Sequence, residues 1–316
     1  MNLSSAQREL MTLCALAHDG QRLDWSLIAR EALVAGGVEA MVAGEFRETS
    51  PSARTARALM PSLAQDRARA EQRVLDEIAL AEGVGARLVT VIDDGYPSNL
   101  KLIPNLPPFL FVRGSITADD ARSVAVVGTR QASDDGLARA GRLARELADR
   151  GVTVVSGLAV GIDTAAHQAA FQAGGRTVAV IGTGITRCYP TSNRGLAERI
   201  ADGGGALVSQ FWPSTPPARH TFPRRNVVTS GISQGTVVIE ASSTSGAKMQ
   251  ARLAIEHGKR VFLLRSLVTG QSWARRFVDE RGAVEVSDTS DVLAWVADAD
   301  RINQVVTARG QQLALM

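Results

Sequence analysis

Apolar positions follow one rule before residue 90 and another after residue 120. In the first stretch they recur every three to four residues. Leu3, Ala6, Leu10, Leu13, Leu16 and Ala17 form one stripe, and Trp25, Ile28, Ala29 and Leu33 a second. Val74, Leu75, Ile78 and Leu80 form a third within residues 64–82. This spacing predicts amphipathic helices over residues 3–90, broken at Gly36-Gly37 and Thr49-Ser50-Pro51. Prolines then crowd the chain from Tyr96-Pro97 to Pro107-Pro108. A continuous helix is excluded there, because proline has no amide donor. The expected organisation is a small helical N-terminal domain over residues 1–95 and a proline-rich connector over residues 96–115.

Beyond the connector, short β-branched runs alternate with helical stretches. The runs are Ser123–Val127, Val152–Ser156, Thr177–Ile181, Ala206–Ser209, Thr236–Glu240 and Val261–Leu264, with Ala283–Val286 as a candidate seventh. Between them, Leu137–Arg150, Asp163–Ala173, Asn193–Ala201 and Lys248–His257 carry the helical period, and Asp288–Val296 reads as a closing helix with Asp288 as its cap. Continuous apolar strands alternating with amphipathic helices predict a parallel sheet covered on both faces, a doubly wound α/β domain over residues 116–297. Residues 298–316 form a tail without a strong pattern. In such a sheet ligands are expected at the carboxyl ends of the strands.

Composition removes several classes of function. Cys14 and Cys188 are the only cysteines, which excludes a disulfide scaffold, and His18, His167, His220 and His257 have no zinc-ligand spacing. No apolar run reaches the length of a membrane span, and no basic-then-apolar leader opens the chain, so a cytoplasmic protein without membrane contact is expected. The net charge of +3 hides an uneven distribution. Residues 211–281 carry 11 basic and 4 acidic side chains, whereas residues 1–105 and 282–316 each carry a net of −3. Such a block marks either a polyanion site or a solvated arginine-rich face.

Small-residue loops follow the predicted strands. Gly128-Thr129-Arg130 follows the first, where glycine admits an anion to the backbone and Arg130 can fork onto a phosphate. Asp134 and Asp135 offset the helix dipole there. Ser156-Gly157 begins the second loop, whose spacing is not GxGxxG and which lacks the downstream acidic residue of a nicotinamide site, so no such cofactor is expected. Asp163 and His167 lie four apart, as an acid/base pair or as local structural hydrogen bonding. Phe222-Pro223-Arg224-Arg225-Asn226 combines an aromatic ring, two arginines and an amide, which suits a sugar–phosphate backbone and a stacked base. Ser245, Gly246 and Lys248 open a helix as a second phosphate cradle.

Taken in order, these residues resemble the DNA-processing protein A family, also called DprA or Smf. The likeness runs from Tyr96-Pro97 and Arg113-Gly114 through Val126–Arg130, Ser156–His167, Ala179–Gly184, Tyr189-Pro190 and Phe222–Asn226 to Val238–Ala241 and Ser245-Gly246. It implies an extended Rossmann-like domain that binds single-stranded DNA without cofactor or catalysis, protects strands in natural transformation and recombination, forms a homodimer and loads the RecA recombinase. Arg130, Arg225 and Asn226 would then contact phosphates. Gly128, Ser156, Gly157, Ser245 and Gly246 would line the pocket, with Arg224 and Lys248 adding charge, and Phe222 would order the loop or stack on a base. Departures from the family pattern are Val227 in place of a second arginine, Asp135, Gln210, Met249-Gln250 and Arg265-Ser266. The first 90 residues resemble no version of the family's helical module, and no winged-helix module is expected at the C-terminus. Alternatives are a nucleotide-sensing or phage-defence module using the same pocket, and a phosphoribohydrolase-like enzyme acting through Glu240 or Asp163. Against the enzyme, Ser243–Gln250 lacks the glycine pair and glutamate of those proteins. Residues Val261–Val286 are the expected dimer contact.

Overall fold

The computed structural model describes residues 2–314. Ser4 caps the first helix, α1 (Ser5–Ala15), by accepting from the Gln7 amide while the Gln7 side chain accepts in return. A two-residue hairpin, β1 (Ala17–His18) and β2 (Gln21–Arg22), leads to α2 (Trp25–Ala32), α3 (Gly37–Val42), α4 (Pro51–Leu63) and α5 (Arg67–Glu82). The expected breaks are cap residues. Gly36 stands at φ +69° before α3, and Ser50 caps α4, whose first residue is Pro51.

Nine strands form one sheet, in the order β11-β10-β9-β5-β6-β7-β8-β4-β3. They are β3 (Ala86–Thr90), β4 (Phe109–Gly114), β5 (Ser123–Val127), β6 (Thr153–Ser156), β7 (Thr177–Val180), β8 (Ala206–Ser209), β9 (Gly235–Val238), β10 (Arg260–Leu264) and β11 (Val284–Val286). Only β4 is antiparallel to its neighbours, and every other pairing is parallel. The architecture is therefore the Rossmann-like doubly wound α/β sheet that the alternation predicts.

Two strands depart from the expectation. Residues 86–90, read as the end of the helical stretch, and residues 109–114, read as connector, are β3 and β4 of this same sheet. The prolines do exclude a long helix. What lies between these strands is a 3-10 turn over Ser98–Leu102, after which Phe109–Val112 is buried between β3 and β8. Runs of five and six residues are too short to show their antiparallel pairing, and the second partner of β4, strand β8, is nearly a hundred positions away.

The helices of the second half are α6 (Asp134–Asp149), α7 (Ile162–Gln172), α8 (Arg194–Asp202), α9 (Thr221–Ile232), α10 (Gly246–Glu256), α11 (Arg265–Gly270), α12 (Ser272–Arg281), α13 (Thr289–Leu293) and α14 (Ala299–Ala314). Strand alternation sorts the core. Val124 and Val126 of β5 join Leu143, Ala144, Ile162 and Ala166 on one face, while Ala125 and Val127 face the other. That second core continues without a break into Leu10, Leu27, Met41 and Ile78 of the N-terminal helices. No described helix is long and apolar enough to cross a membrane.

From β5 the chain winds outward through β6, β7 and β8, then returns along α9 to β9 on the other side of β5. The winding direction reverses between β5 and β9, so their carboxyl ends diverge and leave a crevice between the loops.

Candidate functional site

A cleft of about 470 Å³ occupies this switch point. Gly128–Gln131 after β5, Gly157 and Ala159 after β6, Phe222, Arg225 and Asn226 on α9, and Ser245–Ala247 with Gln250 at the start of α10 form its walls. Close backbone packing joins the loops. The Thr129 amide donates to the Glu240 carbonyl at 2.7 Å. A Cβ at Gly128 would stand 2.4 Å from Ile162 Cγ1, and one at Gly161, where φ is +81°, would stand 2.5 Å from the Thr129 carbonyl. The N-termini of α7, α9 and α10 meet around the cleft and bring the positive ends of their dipoles to it.

Arg225 is the structural centre. It is only 8% exposed, and its Nη1 donates to the carbonyls of Gly157 and Val180, each at 2.6 Å. It thereby ties the ends of β6 and β7 to α9. Its Nε donates to Asn226 Oδ1 at 3.2 Å. Burial lowers the guanidinium from its ordinary value, the nearby Asp163 carboxylate raises it, and Arg130 lowers it further. The two ionic groups stabilise each other through space in the low-dielectric floor of the cleft. Burial in turn pushes the Asp163 carboxyl up, against Arg225 and the amides of Ala159 and Gly157, which hold it down.

At the rim, Phe222 lies on Gly182, where a Cβ would come within 2.6 Å of the ring. The Tyr189 ring stands 5.5 Å from Phe222, and Arg130 Cζ lies 5.3 Å from the same ring. Tyr189 is 44% exposed. A cation and two aromatic rings thus form a ladder open to solvent, with the buried Arg225 in the same cleft.

The structure brings Gly128, Arg130, Gly157, Phe222, Arg225, Asn226, Ser245 and Gly246 to this cleft. Ser156 is fully buried, and its hydroxyl donates to the Val126 carbonyl at 2.7 Å, so it joins β6 to β5 and does not line the cleft. Arg224 points out of the other side of α9, over Trp25 and Phe211 at 5.7 and 5.8 Å. Lys248 donates to the Ser243 carbonyl and faces Trp273, in a neighbouring groove with Arg252, Arg276 and Arg281. Of the basic block at 211–281, Arg225 is the member that lines the cleft, and the block's remaining charge is spread from the loop before α9 to α12.

Several residues of the site carry no motif of their own. Gln250 packs with its amide nitrogen toward the Asn226 carbonyl and its oxygen toward the Ser230 amide, each at 3.2 Å, which clamps α10 to α9. The family departure Met249-Gln250 therefore supplies a cleft wall of its own kind. Glu240 accepts from the Ser133 amide and hydroxyl at 3.1 and 3.0 Å and holds the start of α6. Asp163 accepts from the Gly157 amide at 3.1 Å. Both carboxylates of the enzyme alternative are thus engaged in holding backbone. Among the described residues no group of three or more His, Cys, Asp or Glu side chains could hold a metal ion.

Fold and site together define a Rossmann-like α/β protein whose switch-point cleft is lined by arginine, amides and an aromatic rim. The sequence pattern of the DNA recombination-mediator protein A family matches residues 87–297, and the chain belongs to that family. Protein Smf of Escherichia coli K12 is 38% identical over 237 residues, which is 72% of this chain and 63% of that protein's length. DNA processing protein DprA of Streptococcus pneumoniae R6 is 37% identical over 206 residues, 65% of this chain and 72% of that relative. The X-ray structure of the S. pneumoniae DprA superposes with a TM-score of 0.66 at 28% identity, covering 94% of this chain and 99% of that one. DNA processing protein A from Helicobacter pylori, described for its single-stranded DNA binding mode, shares the fold with a TM-score of 0.58 at 23% identity, over 71% and 96% of the two chains.

Proposed function

We propose that this chain binds single-stranded DNA, with the phosphate backbone drawn over Arg130, Asn226 and the start of α10 at Ser245-Gly246, and with bases stacked on Phe222 and Tyr189. The observation that carries this reading is the open Arg130–Phe222–Tyr189 ladder above the Arg225 floor. Arginine and aromatic faces are sequence-tolerant partners of a single strand, because every base has a π-face and every nucleotide a phosphate. Family membership supports strand processing in transformation and recombination. We extend the reading to protection of the strand, delivery to the RecA recombinase and a homodimer in contact through Val261–Val286. The protein acts here by binding and not by catalysis.

The test is binding of fluorescent single- and double-stranded oligonucleotides over a range of salt. Single strands should bind more tightly, with affinity falling steeply as salt rises. Arg130→Ala combined with Phe222→Leu should weaken binding by tenfold or more, since one stacked base alone contributes about 1–3 kcal/mol. Unchanged binding by that variant would overturn the site. A second reading, a pocket for a small signalling nucleotide, draws on the cleft's size of about 470 Å³. Calorimetric titration in which a mononucleotide binds and an oligonucleotide does not would favour it.

A further inference from the structure

The cleft leaves a second group of arginines unaccounted for. Arg224 shares a helical turn with Arg225 and points the opposite way, its guanidinium 5.7 Å from the Trp25 ring of α2 and 5.8 Å from Phe211. Arg73 of α5 lies 5.1 Å from the Trp212 ring, and Trp25 and Trp212 are themselves 6.2 Å apart. Three elements therefore hold two guanidinium groups against one aromatic bed. Arg22 on β2 is the third cation. Burial and the like charge of Arg22 both press Arg224 below its ordinary value. Arg22, Arg73 and Arg224 are all exposed, and among the described residues none has a carboxylate within 4 Å. The nearby carboxylates are engaged elsewhere: Asp24 accepts from the Ser26 amide, and Glu77 accepts from the Ser214 amide and hydroxyl. Arginines held in one place without a direct ion-pair partner repel one another, and an anion that joins them relieves that repulsion.

The position of this patch fits the same ligand as the cleft. Phe211 and Trp212 lie just past the end of β8, so the patch is at the carboxyl edge of the sheet, the edge that carries the cleft. From β5 to β8 is three strand spacings, about 14 Å. Phe222 and Tyr189, in α9 and in the loop after β7, stand between the two.

We propose that Arg224 over Trp25 and Arg73 over Trp212, with Arg22 on the hairpin beside them, form a second backbone-binding subsite for single-stranded DNA, which carries a strand leaving the cleft over Phe222 and Tyr189 onto the N-terminal helices. This rests on the reading of the cleft as a single-strand site. A guanidinium held over an aromatic ring has N–H donors left for phosphate oxygens and loses little freedom on binding. The N-terminal helices thereby lengthen the footprint.

The experiment compares oligothymidylates of about 5 and about 25 nucleotides, lengths chosen below and above a typical single-strand site, on the full-length protein. The double variant Arg22→Gln, Arg224→Gln should bind the short strand within twofold of the parent. Its affinity for the long strand should fall at least tenfold, and the slope of log affinity against log salt should shrink by about 1.4, two phosphates at about 0.7 each. Arg22→Glu alone, on an exposed hairpin away from the cleft, should reproduce most of the long-strand loss with an unchanged melting temperature. Parent-like binding of the long strand overturns the subsite and leaves the cleft standing; this is also the result expected if the patch serves an acidic protein surface. Equal losses for both lengths overturn it too, because the substitutions then act on the cleft. Failure of the parent protein to bind either strand overturns the function reading itself.

Discussion

His167 illustrates how one side chain's state is set by partners far away in sequence. The Thr177 hydroxyl donates to the Val154 carbonyl at 2.7 Å, so it must accept from His167 Nδ1–H, also at 2.7 Å. Nε2 is left buried and without a hydrogen-bond partner. Burial, with Arg225 close by, pushes the imidazole down to about 3. Below the ordinary value of 6.5 the unfolded chain takes up a proton that the folded one refuses. The His167 contribution to stability is therefore complete above pH 6.5 and is lost as pH falls toward 3. At pH 5, one and a half units below the ordinary value, the loss is about 2 kcal/mol. Asp163, with its carboxyl raised by burial, works in the opposite direction as pH falls through its folded value. Urea unfolding at pH 7.5 and pH 5 should show this loss, and His167→Gln should shrink the difference; an equal difference in the variant would remove His167 as its cause. From sequence, Asp163 and His167 offered either an acid/base pair or structural hydrogen bonding. The structure takes the second, with separate partners: Gly157 and Ala159 amides for one, Thr177 for the other.

At the scale of the element, the cleft is a set of helix starts held in place by the preceding strands. The start of α6 depends on Glu240 at the end of β9, whose carboxylate receives the Ser133 amide and hydroxyl and leaves no room for a Cβ at Gly136. Glu240→Ala removes both bonds and should cost on the order of 1–3 kcal/mol. Because Arg130 and Gln131 ride on the same loop, oligonucleotide affinity should fall several-fold, with Glu240→Gln intermediate. Thermal melting and a binding titration on one preparation check both, and parent values in each would contradict the coupling. Most elements were legible in the sequence. Strands β5 to β10 fall within two residues of the β-branched runs, and Asp288 does cap α13. The sequence pattern assigns no helix over residues 221–232, where α9 carries the main motif. Its Pro223 lies in the first turn, where a missing amide donor costs nothing. The +7 block was a looser signal. Net charge sums over both faces of every helix, while only one face can line a cleft.

The whole molecule is not a sheet with a detachable helical preface. Trp25 packs on Phe109 at 4.9 Å and Phe109 on Trp212 at 4.9 Å, so helix α2, strand β4 and the loop after β8 share one aromatic core. Glu77 of α5 reaches across to Ser214. Deleting residues 2–82 should leave a chain that aggregates or melts without cooperativity, because it exposes this core. A monomeric fragment with a sharp thermal transition and the parent's strand affinity would refute that. By itself the sequence determined the alternation of strands and helices, the glycine loops at the strand ends and the segment Phe222–Asn226 as the focus of the site. These follow from spacings within a turn or a strand, where each residue's surroundings are set by its near neighbours in the chain. The tertiary structure alone decided that β3 and β4 extend the sheet, that Ser156 is buried, that Lys248 faces another groove, and that of two adjacent arginines Arg225 enters the cleft while Arg224 meets the N-terminal helices. Those outcomes depend on carbonyls, rings and strands brought together from tens of positions away, as Val180 and Gly157 are to Arg225, and no local pattern encodes which of them will be near.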